Sequence, residues 1–487
     1  MVSRHAPLRA RFPVRDGGPA QTAEPPGTFA VERADLTPDE VPAFLAERTN
    51  RPFDLAAGPP LRAAVATLGP HDHVLCLVVH HIVCDGWSLK LLLDEVARLY
   101  AAFTEGKPSP LPPLPAVFAD FTRAQREHFG DSGAGDLPGG RDEALAYWRE
   151  RLAGARPLEL PTDRPRPPMA TTNGAALVVP LPDGLMNGVR RLAAAERCTA
   201  FMVLMAAYQA LLSRYSGQDD LCVGSAVAGR DRLEYEPLIG YFSGTLVLRG
   251  DLSGDPAFRE LLARTRAAAL DAYRHQHVPF ERLLAELGVE RDLSRPPLFQ
   301  TMLVLHDMGE SRLALPGVRA EVLDAGYLQV HHDLVLDVFG EDGGRRLVLT
   351  YNTDLFDRET AEGYASAYLS LLARAVADPA APCPACSPST PPSARPSCGR
   401  AATPGAARRT SDGRRHVHPP RRHHPGRRRP RRPGPGVPRV PRSRGVPGFR
   451  GHRRLRRVRR HPRFPGVRGH SRLSCRLRAP VLVVGGR

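Results

Sequence analysis

Two adjacent histidines and an aspartate, in His80-His81-Ile82-Val83-Cys84-Asp85-Gly86, stand between a run that reads as a buried strand and a run that reads as an amphipathic helix. The strand, Val74-Leu75-Cys76-Leu77-Val78-Val79, is short, uncharged and apolar throughout. The helix, Ser88 to Leu99, sets Leu89, Leu92, Val96 and Leu99 at helical spacing. Any fold that accepts this junction must place polar groups beside a core. Such groups need partners, and they often carry chemistry. Side-chain alternation puts His81 on one face with Val79 and Leu77, and His80 on the other with Val78 and Cys76. At most one of them can face a given cavity.

An imidazole near neutral pH can take a proton from an amine or hydroxyl nucleophile, as acyl transfer requires. Asp85 is badly placed as a second base on the same substrate and is better suited to fixing the loop through an arginine. The candidate is Arg62, in Pro59-Pro60-Leu61-Arg62-Ala63-Ala64-Val65, the neighbouring strand. Gly86 lets the backbone turn tightly. Adjacent histidines at a strand end also serve purely structural roles, and the residues alone do not decide between the two. A metal site is disfavoured, because the strand splits the histidines and no third and fourth ligands accompany them. Cys84 reads as a packing residue rather than a nucleophile.

HHIVCDG resembles the HHxxxDG signature of condensation domains of non-ribosomal peptide synthetases, members of the chloramphenicol-acetyltransferase-like superfamily. Further stretches resemble that family's motifs in order. Arg4 to Phe12 is similar to RHExLRTRF, and Val117-Phe118-Ala119-Asp120-Phe121 to the YADF-type motif. Ile239 to Leu246 resembles IGxFVNT, with Ser243-Gly244 in place of Val-Asn. His275 to Glu281 resembles HQDxPFE, with His277 where aspartate is common, and Arg291 to Leu298 matches RDxSRxPL. Tyr351 to Asp357 resembles the strand and turn near the domain's end. The match runs from about Ser3 to Ala380. The family's first motif, with its opening helix and strand, has no counterpart, so an N-terminal truncation is expected.

The resemblance implies an α/β (α+β) fold of two acetyltransferase-like lobes in a V with a central tunnel. It implies an N-terminal lobe over 1–165, incomplete at its start, and a C-terminal lobe over 166–380. His81 becomes the catalytic residue, as general base or as the group that positions the amine. His80 completes the motif, Asp85 and Arg62 support it structurally, and the Gly86 N–H is the candidate oxyanion donor. The implied reaction is amide formation between thioesters tethered to donor and acceptor peptidyl carrier proteins, beside the adenylation domain of the same synthetase. No metal or directly bound cofactor is implied, since the partners bring the phosphopantetheine arms. The alternatives are a stand-alone acyltransferase on a soluble acceptor, an inactive synthetase fragment, and a non-enzymatic basic binding protein.

Elsewhere, Ala144 to Ala153 reads as a helix, Ala175 to Pro180 as a strand, and Pro157 to Pro168 as the crossover between lobes. A strong helix follows Thr199, with Phe201, Leu204, Met205, Tyr208 and Leu212 on one face. Leu221 to Gly224 and Gln300 to Leu305 read as central strands. No run is long enough for a membrane span and no signal peptide is visible, so a cytoplasmic, non-membrane protein is expected. The four body cysteines, Cys76, Cys84, Cys198 and Cys222, mostly sit in apolar segments, as suits a reducing compartment.

From Ala381 on, the composition breaks. The segment 381–487 holds 29 arginines, no lysine and the single acid Asp412, a charge of +28. The preceding residues hold 39 bases and 50 acids, a charge of −11, so the formal +17 of the chain comes entirely from this tail. Runs such as Arg427 to Arg432 cannot bury a core and are expected to be disordered. Nucleic acid is an expected partner only if this basic tail is real. The favoured reading is an out-of-frame product of GC-rich DNA, whose translation is rich in Arg, Pro, Gly, Ala and His.

Overall fold

The computed structural model describes residues 1–129, 140–289, 292–306, 313–323, 329–340 and 345–381, together with two short strands at 475–480 and 483–485. The tail's expected disorder otherwise concerns residues outside the described ones. At those two strands, regular backbone pairing replaces it.

Two six-stranded sheets organise the described residues. The strands are β1 (Glu32–Asp35), β2 (Leu61–Gly69), β3 (Asp72–His80), β4 (Gly174–Pro180), β5 (Asp220–Val227), β6 (Gly244–Asp251), β7 (Thr301–His306), β8 (Val318–Leu323), β9 (Leu334–Phe339), β10 (Arg346–Asn352), β11 (Cys475–Pro480) and β12 (Val483–Gly485). The first sheet runs β8-β11-β3-β2-β1, with β12 also on β3, and the second runs β6-β5-β7-β9-β10-β4. The helices are α1 (Val41–Asn50), α2 (Gly86–Thr104), α3 (Phe118–Phe129), α4 (Gly140–Leu152), α5 (Leu185–Ala195), α6 (Ala200–Ser216), α7 (Phe258–Arg274), α8 (Phe280–Leu287) and α9 (Arg358–Ala377). Mixed parallel and antiparallel pairing with interspersed helices is the expected α/β (α+β) class. Three strands from later in the chain, β8, β11 and β12, join β1–β3 in the first sheet.

The β2–β3 hairpin sets Arg62 opposite Val78 and Leu61 opposite Val79. Cys76 and Val78 pack on one face with Phe44 and Leu45 of α1. Val79 packs on the other face with Leu8, Leu92 and Ile239. Both faces of β3 are therefore buried, which is why its sequence is apolar without alternation. In the second sheet, Leu303, Leu336 and Leu349 face a layer that includes α6, α7 and α9. Helix α6 starts at Thr199, whose hydroxyl accepts from the Met202 N–H (3.3 Å), and stops at Gly217 in the left-handed region (φ 71°). Burial is continuous from Met202 to Leu212 rather than confined to one face, because α5, α7 and α9 surround α6.

Candidate active site

Strand β3 ends at His80, a short 3₁₀ turn covers His81 to Val83, and α2 begins at Gly86. His80 is buried, and its Nδ1 accepts from the Ile82 N–H (3.0 Å). Its ring meets Phe53 edge-on at 5.7 Å, on the α1 side of the sheet. His81 is exposed, and its ring meets Tyr241 edge-on at 5.2 Å. The turn thus commits one imidazole to structure and leaves the other accessible. His331, on the segment leading into β9, is held below the ordinary histidine value by partial burial and then by the charge of His81. An imidazole from the second sheet therefore lies within electrostatic reach of His81. His332 beside it stacks on Phe299 at 5.2 Å, and burial followed by the charge of His331 pushes it down to about 4.

Asp85 caps α2: Oδ1 accepts from the Ser88 N–H at 2.8 Å. Its arginine is Arg230, which corrects the expectation of Arg62. Arg230 Nη1 donates to Asp85 Oδ2 at 3.0 Å and Nη2 to Oδ1 at 3.2 Å, with both side chains 1% exposed. Oδ2 also accepts from the N–H groups of Phe242 and Ser243 (3.0 and 3.2 Å). Burial pushes the Asp85 carboxyl up, but the Arg230 contact and these N–H donors outweigh it and hold the group below its usual 3.8. Arg62 instead donates to the carbonyls of Arg51 (2.5 Å), Pro52 and Arg48 (both 3.3 Å). Its position opposite Val78 puts it beside Cys76 on the α1 face, away from Asp85, which lies beyond the strand end.

Gly86 is exposed, and a side chain there would meet nothing within 4 Å. Its backbone lies outside the left-handed region, so the expected tight turn does not require glycine. No acceptor for its N–H occurs among the described residues, which leaves a helix-terminal donor open to approach. Cys84 is fully buried, and burial followed by the neighbouring Asp85 charge pushes its thiol far up, out of nucleophile range.

Several supporting residues were not singled out from sequence. The Ser88 hydroxyl accepts from Arg230 Nη2 (2.8 Å) and the Gly240 N–H (3.0 Å), and donates to the Gly240 carbonyl (2.7 Å). Gly229 holds φ 64°, and a Cβ there would fall 2.0 Å from the Phe242 carbonyl oxygen, so only glycine brings Arg230 to this position. His5 Nδ1 accepts from the Ile239 N–H (3.3 Å), which fixes Nε2 as the donor to Glu95 (3.0 Å), and Arg4 Nε reaches the same carboxylate at 2.9 Å. The Arg4-His5 and Ile239-to-Leu246 motifs therefore converge on α2. Their motif spacing was the available signal for Tyr241 and Ser243. Arg230, in Ala228-Gly229-Arg230-Asp231, offered only a charged residue after a strand.

Among the described residues, no cluster of three His, Cys, Asp or Glu side chains could hold a metal ion. No helix among them is long and apolar enough to cross a membrane. Chemically, the site offers an accessible imidazole, a free helix-terminal N–H and a buried ion pair that locks the loop carrying both.

The family model for the condensation domain matches residues 1–390. Chondramide synthase cmdD of Chondromyces crocatus is 40% identical over 388 residues, covering 78% of this chain and 10% of that protein. A linear gramicidin synthase of Brevibacillus parabrevis is 42% identical over 389 residues, covering 78% of this chain and 8% of that protein. The chain thus spans a tenth or less of the length of these relatives. Among solved structures, the X-domain from teicoplanin biosynthesis superposes with a TM-score of 0.69 at 28% identity, over 78% of this chain and 86% of that one. SgcC5 from Streptomyces globisporus gives 0.60 at 28% identity, over 78% and 88%.

Proposed function

The chain belongs to the condensation-domain family of non-ribosomal peptide synthetases, and we propose that it joins two carrier-tethered aminoacyl or peptidyl thioesters at His81. The α-amine of the acceptor attacks the thioester carbonyl carbon of the donor. The C–N bond forms, the C–S bond breaks, and the donor arm leaves as a thiolate that is then protonated. His81 orients the amine or takes its proton, and the Gly86 N–H faces the oxyanion of the tetrahedral intermediate. Asp85 and Arg230 touch neither substrate and hold the turn in place. Donor and acceptor carrier proteins are the partners and bring the pantetheine arms, and an adenylation domain loads them.

The observation that carries this reading is the division of labour in the histidine pair. His80 is buried with Nδ1 occupied, whereas His81 is exposed beside Tyr241. The test is a single-turnover assay of the full chain with loaded donor and acceptor carrier proteins. Dipeptide accumulating on the acceptor carrier supports the reading. Acylation of a free amine with none on the acceptor carrier replaces it with a stand-alone acyltransferase.

A further inference from the structure

In two of its motifs this chain departs from the family pattern, at Ser243 and Gly244 in one and at His277 in the other, and all three residues line a single cavity of about 440 Å³. Phe121, Tyr235, Phe242 and Phe280 form part of its wall. Tyr241, whose ring meets that of His81, also lines it and connects it to the reacting centre. Phe121, Phe242 and Phe280 stand at motif positions, so the aromatic wall by itself sets nothing apart in this chain. The departures do.

Where the pattern has asparagine, Gly244 pairs with Val227 across β5 and β6, and both line the cavity. A Cβ on Gly244 would meet only Val227 Cγ2 within 4 Å, at 3.1 Å, so a longer side chain would extend into space that is open here. Serine in place of valine at 243 removes a branched apolar group from the same lining. His277 replaces a carboxylate, so whether its imidazole is neutral or protonated the lining is less negative than the pattern gives. The three changes act together: they leave more room and attract a cation less.

We propose that Gly244 and Ser243 are specificity-determining residues, which open this cavity to a bulky, uncharged aromatic side chain of an aminoacyl substrate, such as an indole. Ring contacts with the wall supply the attraction, and the room left at 243 and 244 supplies the selection. The proposal rests on the reading of His81 as the reacting centre, and its test does not need turnover.

Non-hydrolysable thioether analogues of tryptophanyl, alanyl and lysyl N-acetylcysteamine are titrated into the full chain by calorimetry. The tryptophanyl analogue is expected to bind about tenfold to a hundredfold tighter than the alanyl one, the size of burying one large apolar side chain, with the lysyl analogue weaker than the tryptophanyl. Gly244→Asn, which restores the family pattern, should bring tryptophanyl and alanyl together. Ala124→Phe, which fills the cavity from α3 and leaves the contact with Val227 untouched, should do the same. Equal tryptophanyl and alanyl affinities in the wild-type chain overturn the proposal, as does a tryptophanyl preference that survives either substitution, or a lysyl analogue that binds tightest. Binding of bare N-acetylcysteamine as tight as any analogue also overturns it, because the cavity then holds the carrier arm. His81→Ala keeps the tryptophanyl preference if the pocket is as described. Should dipeptide formation persist in that variant, the catalytic reading fails and the pocket stands.

Discussion

Asp85 and Arg230 are each almost fully buried, so breaking one side leaves an uncompensated charge in the interior. Asp85→Ala is expected to destabilise the fold by about 3–5 kcal/mol. The double variant Asp85→Asn/Arg230→Gln should cost well under the sum of the singles, as a double-mutant cycle in denaturant would show. Arg230→Lys is not conservative, because one ammonium cannot reproduce contacts to Asp85, Ser88 and the Leu238 carbonyl. Cys84→Ala should leave turnover in place, since the buried thiol meets no substrate; loss of activity with the fold intact would contradict its packing role. Strand alternation placed His80 on the α1 face, but β3 ends there, and the turn beyond it rather than period two exposes His81. It could not find Arg230, which lies 145 residues away and reaches Asp85 only after the segment 228–243 packs on the start of α2. Arg62 was the nearest arginine in sequence pattern, yet the same alternation turns it toward α1.

At the scale of elements, the motifs that looked separate in sequence are packing partners. A Cβ on Gly240 would lie 2.3 Å from the Phe118 ring of α3, so the glycine of one motif is sized by the phenylalanine of another. Gly240→Ala should destabilise by about 1–3 kcal/mol. Adding Phe118→Leu should recover part of that loss in thermal unfolding; no recovery would contradict the close approach. The sequence reading begins α2 at Ser88, whereas the helix starts at Gly86 with Asp85 as its cap, a role that its expected pairing with an arginine hides. Its buried side was only partly legible. Leu92, Leu93, Ser88 and Glu95 are buried, whereas Leu89 and Val96 are only partly so, because the polar network around Arg230 and His5 claims part of the helix face. Apolar periodicity does not register a face that is buried through hydrogen bonds.

For the whole molecule, acid stability should fall in two windows. His332 titrates at about 4 in the folded chain against an ordinary 6.5, so the unfolded chain takes up this proton first. Stability is then lost as pH falls from 6.5 to about 4. Asp85 is held below 3.8, so its contribution is present above that value and is lost as pH falls further, through its folded pKa. His332→Phe should shrink the first window, to which His331 also contributes, and Asp85→Asn should shrink the second; coincident profiles in all three proteins would contradict the assignments. The charge contrast between the acidic residues before Ala381 and the basic ones after it was fully legible from composition. The strands β11 and β12 were not, because an arginine-rich context masks two short segments that pair with β3 and β8.

The central claim is that His81, rather than His80 or Cys84, meets the reacting amine. The direct measurement is dipeptide formation between loaded carriers by the His81→Ala chain, alongside its thermal unfolding. The account predicts a rate lower by about 10²–10⁴-fold, the range for losing a positioned acid–base group, with an unchanged melting transition. An undiminished rate in a folded His81→Ala chain would contradict it.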